Sequence, residues 1–147
     1  MCIRDRSIAV AGTFSGNPFT LAAGTAILNY LRDNRSIYDE LAAKGERLRG
    51  GFNDWARREG WPALMTGTGS MFQIHLKDGP IETPRDMVGR LDEPLADLQL
   101  YLRLNRVFIP WLHLAFVSTA HSNEDIEAIL AAHKESVAAG LAAHGIG

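Results

Sequence analysis

The sequence has a single cysteine, Cys2, so the chain can form no internal disulfide and no cysteine-based metal centre, and this suits a cytoplasmic setting. It has no apolar run of membrane-spanning length and no apolar segment after its charged start that would make a signal peptide, so the expectation is a protein without a membrane partner. It also lacks a surplus of charge. Fifteen Lys and Arg against seventeen Asp and Glu leave a formal net charge of -2, with the basic residues scattered along the chain, which gives no electrostatic case for nucleic acid. What is present is ordinary for a globular domain: 147 residues, 46% hydrophobic and 22% charged, enough for one core.

The chain is organised around Gly12-Thr13-Phe14-Ser15-Gly16-Asn17-Pro18. Two glycines let the backbone turn and approach a ligand, Thr13 and Ser15 offer hydroxyl donors, Asn17 suits an N-cap and Pro18 the first helical position. Read for chemistry, this is an anion seat at the start of a helix whose free N–H groups and dipole favour phosphate or carboxylate. Read plainly, it is a loop-to-helix junction ahead of an alanine-rich run. No Lys follows the glycines as in a P-loop, and the G-x-G-x-x-G spacing of a dinucleotide fold is absent.

Periodicity predicts the elements in order. A helix runs from Pro18 to about Asp33, with Ala22, Ala23 and Ala26 forming a small face and Asn34 ending it in a left-handed conformation. A second runs from Ser36 to about Glu59 on a stripe of Ile37, Leu41, Leu48, Phe52 and Trp55, bent or loosened near 50 by Gly45, Gly50 and Gly51. Leu64 to Thr66 and Ser70 to Lys77 read as strands around a Gly67-Thr68-Gly69 bend, with Phe72, Ile74 and Leu76 inward and Gln73, His75 and Lys77 outward. The bend could hold a second phosphate, but a hairpin turn or bulge is the better reading. Thr83-Pro84 with Asp86 restarts a helix, Pro94 begins a fresh turn, and Leu95, Leu98 and Leu102 mark its buried side. Val107 to Ile109 and Leu114 to Ser118 are expected strands. Ser122 with Asp125 caps a last helix bearing Ile126, Leu130, Val137 and Leu141. The sum is an α+β fold, a small antiparallel sheet with helices on one face, preceded by a long connector helix.

Three motifs in this order resemble one family. Ala11-Gly12-Thr13-Phe14-Ser15-Gly16-Asn17-Pro18 with Leu21-Ala22-Ala23-Gly24, then Gly69-Ser70-Met71-Phe72, then Phe116-Val117-Ser118-Thr119-Ala120-His121-Ser122-Asn123-Glu124-Asp125-Ile126 are similar to the C-terminal part of class III pyridoxal-phosphate aminotransferases, in the glutamate-1-semialdehyde 2,1-aminomutase-like branch. The resemblance implies the C-terminal domain of a fold-type-I enzyme and the cofactor pyridoxal phosphate (PLP). It also implies a small amino or keto substrate and a homodimer, in which Gly12 and Thr13 hold the phosphate of the cofactor bound by the partner subunit. Residues 7–35 would be the phosphate loop and connector, and 36–147 the small domain. Met1 to Arg6 looks like a non-native leader.

The same resemblance puts the Schiff-base lysine upstream, together with the aspartate facing the pyridine nitrogen, the aromatic on the ring and the gatekeeping arginine. No catalytic residue is therefore assigned, and the chain alone is expected to be inactive. Lys44, Lys77 and Lys134 read as solvated surface residues. His75, His113, His121, His133 and His144 show neither i,i+4 pairing nor a cysteine partner, so no metal site is assigned, and His121 reads as a structural hydrogen-bonder. Trp111-Leu112-His113-Leu114 stands where some relatives carry a carboxylate-binding arginine. The competing reading is a stand-alone α+β binding or interaction module without catalysis.

Overall fold

The computed structural model describes residues 12, 16–110 and 114–146. Their order is α1 (Pro18–Asp33), α2 (Ser36–Glu59), β1 (Leu64–Thr66), β2 (Met71–His75), a 3₁₀ helix (Pro84–Met87), α3 (Asp92–Leu104), β3 (Ala115–Phe116) and α4 (Asn123–Ala143). The chain divides into two compact units, one ending at Ile37 and the other beginning at Tyr38. None of the helices among the described residues is long and apolar enough to cross a membrane.

In the first unit α1 starts and stops where the sequence predicts, but it ends differently. Asn34 is not left-handed (φ -125°, ψ 58°). Its backbone N–H and its side-chain amide both donate to the Tyr30 carbonyl, at 3.0 and 2.8 Å, so the side chain does the capping that a left-handed turn would otherwise do.

In the second unit a three-stranded antiparallel sheet has the order β1-β2-β3, with Met65 opposite Ile74 and Phe72 opposite Ala115. The core comes from one stripe on each helix and the inward residues of the sheet: Leu48, Phe52 and Ala56 of α2, Leu98 and Leu102 of α3, Ile126, Leu130, Val137 and Leu141 of α4, with Phe72, Ile74 and Leu76. The expected α+β architecture is present, with two changes to its strands. Val107 to Ile109 is not a strand, because the Ile109 carbonyl is taken by the side-chain amide of Gln99 on α3, at 3.0 Å, and the Pro110 carbonyl accepts from the same group. His75 is not outward-facing and solvated. It is buried, with Thr66 Oγ1 2.9 Å from its Nε2, where the amide of Leu91 bonds to the Leu76 carbonyl and brings the 90–91 segment to the end of β2. The helix expected from Thr83 is only a 3₁₀ turn. Asp86 Oδ2 accepts from the Glu82 and Thr83 amides and the Thr83 hydroxyl, and Gly89 at φ +85° precedes the true helix at Asp92.

The α2 glycines do not interrupt that helix, which is continuous from Ser36 to Glu59. Two of them mark close approach instead. A Cβ on Gly45 would stand 2.0 Å from the Gly69 carbonyl oxygen, and one on Gly51 would stand 2.8 Å from Leu130 Cδ2. A Cβ on Gly50 would meet only Glu46 Oε1, at 3.7 Å. The bend beyond β1 is therefore packed directly on α2, and the side chains around Gly45 fasten it. Arg49, buried, donates through Nη1 to the Gly69 and Met71 carbonyls at 2.9 and 2.7 Å. Asn53 receives the Met65 amide at 2.7 Å and donates to the Met65 carbonyl at 2.9 Å, satisfying the outer edge of β1.

These contacts separate two substitutions that helix propensity alone treats alike. Gly50→Ala is expected to stabilise the unit by about 1 kcal/mol. Gly45→Ala is expected to destabilise it by about 1–3 kcal/mol, because the hairpin backbone must move to admit a methyl group. Urea midpoints of the two variants should therefore move in opposite directions; a shift of both upward would show that the bend does not press on Gly45.

Candidate functional site

The seat expected at Gly12 to Pro18 is only partly described: Gly12, Gly16, Asn17 and Pro18 are, whereas Thr13, Phe14 and Ser15 lie outside the described residues. Gly12 (φ +155°) and Gly16 (φ +78°) are exposed, and nothing lies within 4 Å of a Cβ placed on Gly16, so the dihedral rather than crowding favours glycine there. Asn17 caps α1 as its sequence suggests: its Oδ1 accepts from the Phe19 and Thr20 amides at 2.9 and 3.4 Å, while its carbonyl accepts from the Leu21 amide at 3.0 Å.

This cap corrects one expectation. Pro18 has no N–H, and the next three amides all have partners, so the helix start offers no free donor to a ligand. Any anion bound here must take its hydrogen bonds from the loop of residues 12–16, and α1 contributes only the field of its dipole. The residues present still fit a phosphate, through open, glycine-shaped backbone ahead of a positive helix end.

The second phosphate-loop candidate is a hairpin bend. The carbonyls at its exit point to the buried Arg49 guanidinium, and Arg49 also pairs with Glu46 at 3.1 Å, so the bend is held by a cation rather than prepared to receive an anion. The lysines are less uniform than expected. Lys44 is buried and ion-paired with Glu40 one turn earlier, not solvated. Lys77 donates to the Asp78 carbonyl, and Lys134 is half-buried.

The histidines do different things, and among the described residues none joins a cluster able to hold a metal. His121 is a structural hydrogen-bonder, as expected: its Nδ1 lies 3.0 Å from both the amide and the hydroxyl of Ser118, just ahead of the capping box in which Ser122 and Asp125 exchange bonds at 2.8 and 3.1 Å. The backbone N–H of Ser122 holds the Asp125 carboxyl below the usual carboxylate range. His144 meets Asp97 at 2.9 Å. His113 lies outside the described residues. His133 is fully buried, donates from Nδ1 to the Ile129 carbonyl at 2.8 Å, and turns edge-on to Phe72 with ring centroids 5.8 Å apart. His133 Nε2 and His75 Nδ1 are buried with no partner among the described residues. His133 extends the α4 stripe by the same three- and four-residue steps as Leu130 and Val137, a signal that reading histidine only as a ligand overlooks.

A groove of about 680 Å3 opens between the end of α3, residues 107–110, β3 and the start of α4. Phe72, Val107, Phe108, Ile109, Phe116 and Ile129 make it apolar, and Asn105, Arg106, His121 and Asp125 are its polar lining. Sequence reading overlooks this place, because its walls come from segments far apart in the chain, from Phe72 on β2 to Ile129 on α4.

Fold and local geometry together describe an α+β domain preceded by a capped helix, α1, with glycines of positive φ ahead of its cap. Comparison with known proteins places it among its relatives. No family model matches the chain. It is 35% identical over 131 residues to the glutamate-1-semialdehyde 2,1-aminomutase of Thermus thermophilus, a match covering 86% of this chain and 30% of that protein. An omega-transaminase from Sphaerobacter thermophilus superposes with a TM-score of 0.72 at 26% identity, over 90% of this chain and 30% of that one. A transaminase solved with PLP bound superposes equally well, TM-score 0.72, over 92% of this chain and 30% of that chain, and at 22% identity it speaks for the fold alone. The chain thus spans about 30% of the length of the relatives it matches, and over that stretch it is similar in sequence to glutamate-1-semialdehyde 2,1-aminomutases and in fold to transaminases.

The buried histidines set a pH dependence. Burial lowers the His133 pKa from its ordinary value of 6.5 despite the bond to Ile129; burial and then the charge of Arg90 lower that of His75. Both favour the neutral ring in the fold, so the unfolded chain binds more protons between the lowered folded values and 6.5, and stability falls as pH drops through that window. The urea midpoint should decline from about pH 7.5 to about 5.5, and His133→Leu should flatten that decline. An unchanged slope in the variant would remove His133 from the account.

Proposed function

We propose that this chain is the C-terminal part of a PLP-dependent, fold-type-I enzyme that moves an amino group on a small amino or keto substrate. The glutamate-1-semialdehyde 2,1-aminomutase-like branch of the class III transaminases, acting as a cytoplasmic homodimer, is the reading we favour. What carries it is the 35% identity to an aminomutase over 131 residues, a likeness maintained over most of the chain. In this reading the covalent lysine, the pyridine-nitrogen aspartate and the stacking aromatic come from sequence outside the chain, which is inactive without them.

The character of α1 supports the same reading. It has no buried residue, and Phe19, Leu28 and Tyr30 are 88%, 67% and 56% exposed. A 16-residue helix is marginal by itself in water, so such a surface calls for a cover, which the remainder of a larger enzyme would provide.

Bound at the seat, PLP would supply an electron sink for amino-group migration. The chain's own contribution is to hold its phosphate. Gly12 brings the backbone close, Thr13 donates its hydroxyl to a phosphate oxygen, and the capped start of α1 adds a positive field. In the homodimer, these groups serve the cofactor of the other subunit.

Thr13→Val keeps the side-chain shape and removes the donor. In the full-length enzyme it should weaken cofactor affinity by about one to two decades, corresponding to a hydrogen bond to a charged group of about 1.5–3 kcal/mol. Mixing this variant with one lacking the covalent lysine tests the geometry. If Thr13 acts across the interface, one site of each hybrid dimer keeps both groups and activity returns; if it acts within its own subunit, every hybrid site carries a defect and none returns.

A further inference from the structure

The segment that joins β2 to α3 can move as a piece. Gly79 at φ +81° and Gly89 at φ +85° stand on either side of its 3₁₀ turn, and nothing lies within 4 Å of a Cβ placed on either, so both are uncrowded pivots. Between them no residue is buried, and only Ile81, Asp86 and Met87 are half-buried. The hydrogen bonds of the segment are its own. Asp86 Oδ2 accepts from the Glu82 and Thr83 amides and the Thr83 hydroxyl, while the Val88 and Arg90 amides bond back to the Arg85 and Met87 carbonyls. Among the described residues, the first bond that ties the segment to the sheet runs from the Leu91 amide to the Leu76 carbonyl, at 2.9 Å. Few buried contacts and self-contained hydrogen bonds mark a piece of low local stability.

His75 sits beside that tie. It is 3% exposed, and its Nδ1 is buried with no partner among the described residues. From β1 it meets the uncharged Thr66 hydroxyl, 2.9 Å from Nε2. From the 90–92 segment the charge of Arg90 acts on it, and that guanidinium pairs with Asp92 at 2.7 Å. A neutral ring leaves one buried nitrogen unsatisfied. A protonated ring carries N–H on both nitrogens, so Nδ1 needs an acceptor that the closed arrangement lacks, and the new charge is repelled by Arg90. Water can serve Nδ1 only if the chain at that end of β2 moves aside. We propose that residues 80–91 form an acid-released strap: it swings from Gly79, flexes at Gly89, is latched to the sheet by the Leu91–Leu76 bond, and is freed when the buried His75 ring takes up a proton. Release also removes part of the wall of a groove of about 460 Å3, since Gly79 and Pro80 line it together with Arg57, Trp61 and Leu64. That groove therefore belongs to the neutral, latched state.

The strap needs no PLP, so it is tested on the 147-residue chain by amide hydrogen exchange. If release is linked to one proton on a ring whose ordinary pKa is 6.5, protection of the Leu91 amide should fall about five- to tenfold between about pH 7.5 and 5.5, once the intrinsic pH dependence of exchange is removed. Low urea should hardly change Leu91 exchange while accelerating that of Leu130 in the core, because releasing a strap exposes little surface. His75→Phe should abolish the pH dependence. Gly89→Ala should lower Leu91 protection at every pH and leave its slope unchanged, since it strains the latched backbone without touching the proton site. Should His75→Phe not fold, the titration of the His75 ring in the wild type decides: its midpoint should lie below 6.5, and the amides of residues 82–91 should shift with the same midpoint. The proposal fails if Leu91 protection is flat with pH, if His75→Phe keeps the fall, or if Leu91 exchange responds to urea as steeply as Leu130. It fails equally if the ring titrates without moving the strap amides, or if Gly89→Ala leaves Leu91 protection as it was.

Discussion

The 38–147 unit depends on how α2 meets the hairpin between β1 and β2. A sheet of only three short strands, two of them two or three residues long, cannot hold itself in register. α2 supplies what the sheet lacks. Gly45 lets the bend close onto the helix, Arg49 ties the carbonyls at its exit, and Asn53 takes the place of a missing strand neighbour for Met65. These three residues lie four apart along one face, so a single helical stripe reads the hairpin at three heights. With β2 fixed, Phe72 and Ile74 are presented to the core, where His133 of α4 meets the Phe72 ring.

This clamp shows why parts of the structure are legible in the sequence and parts are not. The starts of α1 and α4 are legible, because capping and periodicity are local: Asn17-Pro18 and Ser122 with Asp125 mark their helices from side chains a few residues apart, whereas the same kind of signal at Thr83 makes only a 3₁₀ turn ahead of α3. The core stripes of α3 and α4 are legible for the same reason. Arg49, Gly45 and His133 are not, since each is polar or small at a position where helical spacing demands burial. For the first two, the partner that makes burial tolerable is far away in sequence. Arg49 needs Gly69 and Met71, and Gly45 needs the Gly69 carbonyl. Composition rules assign such residues to the surface or to helix weakening, and tertiary contact overrides them.

Extended segments depart from expectation by another route. Val107 to Ile109 has the β-branched and aromatic composition of a strand, but a strand is defined by its neighbour's hydrogen bonds, and a carbonyl here is claimed by the Gln99 side chain. Strict alternation puts His75 outward, although β2 is covered on both sides at its end, where burial no longer follows period two. Both departures arise from treating a strand as an isolated pattern.

The candidate phosphate seat carries the same lesson into function. Motif logic makes the start of α1 attractive to an anion because helix N-termini have unsatisfied amides. Yet the residue that makes the motif recognisable, Asn17, is the one that satisfies them. A good N-cap and a good anion site compete for the same donors, and when both occur at one helix the anion must be served by the loop ahead of the cap. In the proposed function that division leaves the ligand to Gly12 and Thr13 and the helix to Asn17, which would be a physical reason for two glycines and a hydroxyl to precede the cap. The dipole acts through space and is shared by both. A capped helix start and a phosphate site are therefore compatible in one segment only where the donors to the anion come from residues ahead of the cap.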